Sequence, residues 1–132
     1  MPRPAADFLT EREAQIMDVL WRRGEALADQ VREELPGRPH DSTVRTLLRI
    51  LETKGFVEHE ARGKSYVYRP AVERAQAQRS ALRNFLGQLF GGSAEDLVLR
   101  LIEDEILTPQ QLEQIRNSVP LRRSRRRKGG SL

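Results

Sequence analysis

Hydrophobic residues in the first 35 positions recur at the spacing of one helical face in two successive segments. Thr10 followed by Glu13 fits a capping box, so the first helix is expected over residues 11–23, with Gly24 ending it. A second helix is expected over residues 28–35, before the turn sequence PGRP. The residues that should face inward are Ile16, Met17, Val19, Leu20, Trp21, Ala28, Val31 and Leu35. Together these segments predict a pair of short, packed helices.

The segment DSTVRTLLRILETKG, residues 41–55, predicts a third helix over about 42–54. Either Asp41 or Ser42 is expected to cap its start, and Gly55 lies where a left-handed residue ends a helix. Its apolar stripe consists of Val44, Leu47, Leu48 and Leu51. A different face carries Ser42, Arg45, Thr46 and Arg49. Hydroxyl and guanidinium groups suit phosphates and base edges, so this face is a candidate for DNA recognition, although a merely solvated face is the plainer alternative.

Beyond this helix the pattern changes to the alternation of β-strands. FVEHEA and SYVYRP flank Arg62-Gly63-Lys64, which predicts a two-stranded hairpin with a basic tip. An isolated hairpin is marginally stable, so it should pack on the helices. Three helices followed by a hairpin indicate a winged helix-turn-helix domain, mainly α with a small β wing, in which the third helix enters a major groove.

The later part of the chain predicts three more helices. The first should cover about 72–90 and end at Gly91-Gly92. Ser93 should cap the second. Thr108 should cap the third, which has Pro109 at its first helical position. Their apolar residues are Leu82, Phe85, Leu86, Leu89, Phe90, Leu97, Val98, Leu101, Ile102, Ile106, Leu112 and Ile115. These helices lack an independent core of normal size, so we expect them to bury those residues against a second copy of the chain. The expected organisation is a DNA-binding domain over 1–71, a helical dimerisation region over 72–118 and a tail over 119–132.

Charge is unevenly distributed along the chain. The sequence pI is about 10.1, yet the segment RRSRRRK at 122–128 holds six of the 23 basic residues and no acid. Without that segment the chain is slightly acidic, so local placement of charge must identify any nucleic-acid surface. The tail is expected to be disordered and either forms a nonspecific phosphate-binding arm or only aids solubility.

Several classes of protein are unexpected from composition. The absence of cysteine excludes disulfides, thiol nucleophiles and thiolate metal sites, and two histidines are too few for a His-rich metal site. The letters HDS at 40–42 cannot form a hydrolase triad, because neighbours at a helix start do not point at one another. We therefore expect neither catalysis nor a cofactor. No apolar run approaches a membrane span of about 20 residues, and no signal peptide is recognisable, so a soluble cytoplasmic protein is expected.

Three stretches carry a family resemblance: LTEREAQIMDVLW, STVRTLLRILETKGFVEH and FLGQLFGGSAEDLVLRLIEDEILTPQQLEQIRN. In this order they resemble the penicillinase and methicillin-resistance repressors, the BlaI/MecI type, over about residues 8–117. The resemblance implies a homodimeric winged-helix repressor that binds palindromic double-stranded DNA operators through the third helix. It also implies dimerisation through the C-terminal helices, which agrees with the pattern of apolar residues.

The resemblance assigns roles to individual residues. By resemblance, base reading falls to Ser42, Thr43, Arg45 and Thr46, and the wing tip lies at Arg62 to Lys64. The cations that we expect to contact the DNA backbone are Arg49, Arg62 and Lys64. Well-known members carry lysine where this chain has Ser42, so their operator sequence need not apply here. In those members a membrane sensor peptidase triggers cleavage at an Asn-Phe bond, where this chain has Arg100-Leu101, so inheritance of that switch is a weak expectation. The cysteine-rich copper site of another branch is excluded.

An interaction module is the competing hypothesis. In it the winged fold serves as a docking surface for protein, and the arginine-rich tail binds RNA or acidic partners. That alternative predicts salt-sensitive binding to any polyanion without sequence preference.

Overall fold

The computed structural model describes residues 9–120, and the chain divides into two compact units, the first ending at Phe85 and the second beginning at Leu86. The helices are α1 (Glu11–Arg23), α2 (Ala28–Glu34), α3 (Asp41–Thr53), α4 (Arg74–Leu89), α5 (Ala94–Glu103) and α6 (Pro109–Ser118). The strands are β1 (Ala26–Leu27), β2 (Val57–Arg62) and β3 (Ser65–Pro70). The mainly helical class with a small β wing is confirmed. Within the described residues no helix is both long and apolar enough to cross a membrane.

The core of the first unit lies between α1, α2, α3 and the sheet. Its fully buried side chains are Ile16, Met17, Val19, Leu20, Val31, Val44, Leu48, Leu51 and Phe56. All but Phe56 come from the helical stripes expected in the sequence, and Leu47 and Trp21 pack at the edge of this cluster. Burial of these stripes leaves the opposite face of α3 at the surface.

The sheet has three strands, where the sequence predicted only a two-stranded hairpin. The order is β1-β3-β2, all antiparallel, and Leu27 pairs with Val67. A strand of two residues has no periodicity to detect, and β1 exists because β3 offers its free edge to the chain between α1 and α2. The turn itself is Gly63-Lys64, with Arg62 already in β2 opposite Ser65.

The start of α3 also differs from expectation. His40, rather than Asp41 or Ser42, is the N-cap: its Nδ1 accepts a hydrogen bond from the Ser42 amide at 3.2 Å. An imidazole nitrogen can take the place of the usual side-chain oxygen when it is the acceptor tautomer. At the other end Gly55 has a φ of 89°, as expected for a residue that ends a helix.

The beginning of α4 belongs to the first unit. Nε1 of Trp21 donates to the carbonyl of Val72 at 2.9 Å, the guanidinium of Arg74 lies 5.0 Å from the Trp21 ring centroid, and Ala77 is buried in the core. The helix begins at Arg74 rather than 72. The functional division expected at residue 72 stays a prediction.

The second unit contains α5 and α6, and both begin as the sequence predicted. Ser93 Oγ accepts from the Asp96 amide at 3.0 Å, and Thr108 and Gln111 form a capping box with Pro109 at the helix start. α5 ends at Glu103, because a turn follows in which Glu105 has a φ of 61°. Residues 121–132, and with them most of the expected tail, lie outside the described part.

Candidate nucleic-acid interface

The outer face of α3 presents every base-reading candidate to solvent. Ser42, Thr43, Arg45 and Thr46 are all exposed, as is Arg49 one turn further on. Val44 and Leu48, between them in sequence, are completely buried. The helix therefore places its hydroxyl and guanidinium groups on one accessible surface, as the sequence indicated.

Arg45 is the cationic group nearest the start of this face. Its Nε donates to Oδ2 of Asp41, one helical turn earlier, at 3.0 Å. That hydrogen bond and the charge of Asp41 raise the pKa of the Arg45 guanidinium above its already high value, so it stays charged. Arg45 also lines a groove of about 500 Å³ together with Asp29, Lys64, Tyr66 and Tyr68. The groove runs between α2, α3 and the wing.

Arg49 and Lys64 differ from Arg45 in their partners. Within residues 9–120 neither forms a salt bridge or a side-chain hydrogen bond. Both are exposed, one on α3 and one at the wing tip. Cations without a carboxylate partner are suited to phosphate, because no internal bond has to be broken first.

Arg62 lies on the other face of the wing. Side chains alternate along a strand, so Glu58, Glu60 and Arg62 share the face opposite to His59 and Ala61. Arg62 binds Glu25 at 3.1 Å and Glu60 at 3.2 Å. These hydrogen bonds, to Glu25 first, raise the pKa of Arg62, and Arg69 contacts the same carboxylates. The structure thus does not bring Arg62 together with Lys64 and the α3 candidates.

An aromatic cluster on the inner face of the wing joins it to α3. The His59 ring centroid lies 4.5 Å from that of Tyr66 and 5.6 Å from that of Tyr68. Nδ1 of His59 is 2.8 Å from a carboxylate oxygen of Glu52 on α3. Tyr68 is buried, and burial is the main reason that its pKa is raised. Sequence reasoning missed this cluster, because Glu52 and His59 lie on different elements and their pairing has no local signal.

Apolar side chains are exposed on the later helices and on the turn between α5 and α6. Leu99 is 57% exposed and Ile106 68% exposed. Further exposed members of the expected dimerisation set are Leu82, Leu89, Leu112 and Ile115. Within the second unit a shallow apolar groove is lined by Ala94, Glu95, Val98, Leu99, Ile102 and Leu112. Such a concentration of apolar surface is typical of a protein interface.

Comparison with known proteins identifies the family. Residues 9–120 match the family described as Penicillinase repressor. The methicillin resistance regulatory protein MecI of Staphylococcus aureus is 29% identical over 111 residues, which cover 83% of this chain and 90% of MecI. The penicillinase repressor of Bacillus licheniformis is 24% identical over 109 residues, which cover 81% of this chain and 85% of that repressor.

A solved structure supports the fold. The solution structure of the DNA-binding domain of the repressor BlaI superposes with a TM-score of 0.50 at 24% identity, covering 58% of this chain and 93% of that domain. This likeness shows the winged-helix fold. The family match spans most of the chain and takes in both compact units. The chain belongs to the penicillinase repressor family, whose members are DNA-binding transcriptional repressors rather than enzymes.

Proposed function

We propose that this chain is a homodimeric repressor that binds an inverted-repeat operator in double-stranded DNA and reads its sequence with α3. The observation that carries the proposal is the exposed polar face of α3 above a buried apolar stripe. A helix with that division fits a major groove, which is wide enough to admit it.

Base reading is assigned to Ser42, Thr43, Arg45 and Thr46. The guanidinium of Arg45 suits the O6 and N7 acceptors of guanine, and the threonines suit a thymine methyl group or a phosphate. A single bidentate arginine contact contributes about 1–3 kcal/mol of discrimination between bases. Arg45 is therefore the residue whose loss should relax sequence preference most.

Phosphate contacts are assigned to Arg49 and Lys64, with Arg62 as a weaker member of the set. The first two are exposed cations without a salt bridge in the described part of the chain, whereas Arg62 is held by Glu25 and Glu60. Moving Arg62 to a phosphate would break hydrogen bonds that already compensate its charge. Its net contribution to DNA affinity is correspondingly small.

Dimerisation is assigned to the apolar residues of α4, α5, α6 and the segments that follow α4 and α5, which carry Phe90 and Ile106. A pair of α3 helices related by two-fold symmetry should enter major grooves about 34–36 Å apart, which requires an inverted repeat. Whatever weakens the dimer then lowers operator occupancy by mass action.

The experiment is selection of fragmented genomic DNA by the purified full chain at about 0.15 M salt, where long-range attraction to phosphates is partly screened. We expect enrichment of a short inverted repeat by the wild type and loss of that enrichment by Arg45→Ala. Uniform recovery of all sequences would contradict the proposal. If deletion of 119–132 then abolished recovery, the interaction-module hypothesis, with the basic tail as its polyanion-binding element, would replace it.

A further inference from the structure

We infer that Asp41 is a positioning residue for base recognition: its carboxylate holds Nε of Arg45 and leaves the terminal nitrogens of the guanidinium to the base. The inference rests on the proposed function and adds a residue that sets how sharply the operator is discriminated. Asp41 itself need not contact DNA.

Asp41 accepts a hydrogen bond from only one donor of Arg45, the Nε atom. Oδ2 of Asp41 lies 3.0 Å from Nε, across one helical turn. Within residues 9–120 the Nη1 and Nη2 atoms of Arg45 form no hydrogen bond. A guanine presents two acceptors, O6 and N7, and two parallel donors on the terminal nitrogens match them.

Stability does not explain this pair. The side chain of Arg45 is 55% exposed and that of Asp41 47% exposed. Exposed i,i+4 pairs stabilise a folded protein very little. A long arginine side chain, however, loses much rotamer freedom when it binds a base, and a fixed partner reduces the freedom that remains to be lost.

The position of Asp41 also opposes DNA binding in general. A carboxylate at the start of a helix that enters the groove repels the nearby phosphates. Since the cap of α3 is His40, substitution of Asp41 leaves the cap hydrogen bond in place. The two effects therefore separate: loss of the carboxylate should increase affinity for any DNA while it decreases discrimination at the guanine.

Asp41→Ala, which removes the acceptor as well as the charge, is the test variant, and Asp29→Ala is the matched control. Asp29 lines the same groove and acts on Arg45 only through its charge, with no hydrogen bond to Arg45 in the described structure. Each variant of the full chain is titrated with the selected operator, with the operator changed at the base pair where Arg45→Ala loses preference, and with random duplex. Discrimination is the ratio of the first two dissociation constants.

We expect Asp41→Ala to lower discrimination by roughly two- to fivefold, a part of what the bidentate contact of Arg45 supplies, and to tighten binding to random duplex. Asp29→Ala should tighten binding to random duplex and leave discrimination unchanged. Unchanged discrimination in Asp41→Ala, with binding to random duplex tightened as in the control, would overturn the inference while the repressor function stands. Absence of discrimination in the wild type would overturn both the role of Asp41 and the proposed repressor function.

Discussion

Nζ of Lys54 lies 2.9 Å from Oε1 of Glu13, so one carboxylate joins the end of α3 to the start of α1. The same oxygen accepts a hydrogen bond from the amide of Thr10 at 2.9 Å, which completes the capping box of α1. The Glu13 side chain is only 4% exposed, unlike the other carboxylates that form salt bridges in the described structure. The position of the recognition helix therefore depends on a buried ionic contact as well as on apolar packing.

Glu13→Gln should separate the ionic contact from the cap. Glutamine is accepted at this position of a capping box, so the hydrogen bond to Thr10 can persist while the charge opposite Lys54 is lost. We expect a loss of about 1–3 kcal/mol in the free energy of unfolding, measured by urea denaturation at neutral pH. The matched control is Glu113→Gln, which removes an exposed partner of Arg116 and should cost less than about 0.5 kcal/mol. Equal losses in the two variants would contradict the assigned role of Glu13.

The difference in unfolding free energy between the wild type and Glu13→Gln should depend on pH, and the pKa of Glu13 fixes the direction of that dependence. Burial opposes ionisation of Glu13, but hydrogen bonds from Thr10 and Lys54 outweigh it, so its pKa lies below the usual value. A lowered folded-state pKa contributes stability that is complete above the unfolded value of about 4.3 and is lost as the pH falls through the folded value. The difference in unfolding free energy between wild type and Glu13→Gln should therefore shrink below about pH 4.3. A difference that grows on acidification would contradict this assignment.

Lys64→Ala and Arg62→Ala should differ although both remove a positive charge from the wing. Lys64 is exposed at the tip without a salt bridge in the described structure, whereas Arg62 is held by Glu25 and Glu60 on the opposite face. The slope of log binding constant against log salt concentration for random duplex should fall by about 0.9 in Lys64→Ala and by much less in Arg62→Ala. Equal falls would show that the arginine leaves its carboxylate partners when DNA binds.

Ile106→Asp should weaken the proposed dimer. Ile106 is among the most exposed large apolar side chains of the second unit, and a carboxylate there would be costly to bury between two copies. We expect sedimentation to show a monomer at concentrations where the wild type is dimeric, together with at least tenfold weaker binding to the full operator. Gln15→Glu adds the same charge to α1, outside the second unit, and should leave both measurements unchanged. A dimeric Ile106→Asp variant would remove Ile106 from the proposed interface.

The sequence determined the parts of this protein that depend on local chemistry. Thr10 with Glu13, Ser93, and Thr108 with Gln111 cap helices through neighbours three residues away, so their spacing is sufficient to place α1, α5 and α6. The apolar stripe of α3 likewise predicted which of its faces is exposed, because a helix has a fixed period. Local pattern thus identified the fold class and the exposed polar face of α3 that carries Ser42, Arg45, Thr46 and Arg49.

Tertiary structure decided what depends on contacts between distant positions. The carboxylates of Glu25 and Glu60 hold Arg62 away from Lys64, and Glu25 reaches Arg62 only because the chain before α2 packs beside the wing. β1 exists because β3 has a free edge, and the Glu13–Lys54 and Glu52–His59 contacts join residues on different elements. Such contacts form only when the fold brings distant parts of the chain together. Their energies depend on how deeply the two side chains are buried and on the distance between them. Residue types and spacing therefore located the candidate interface, and the folded arrangement decided which of its cations are available to DNA.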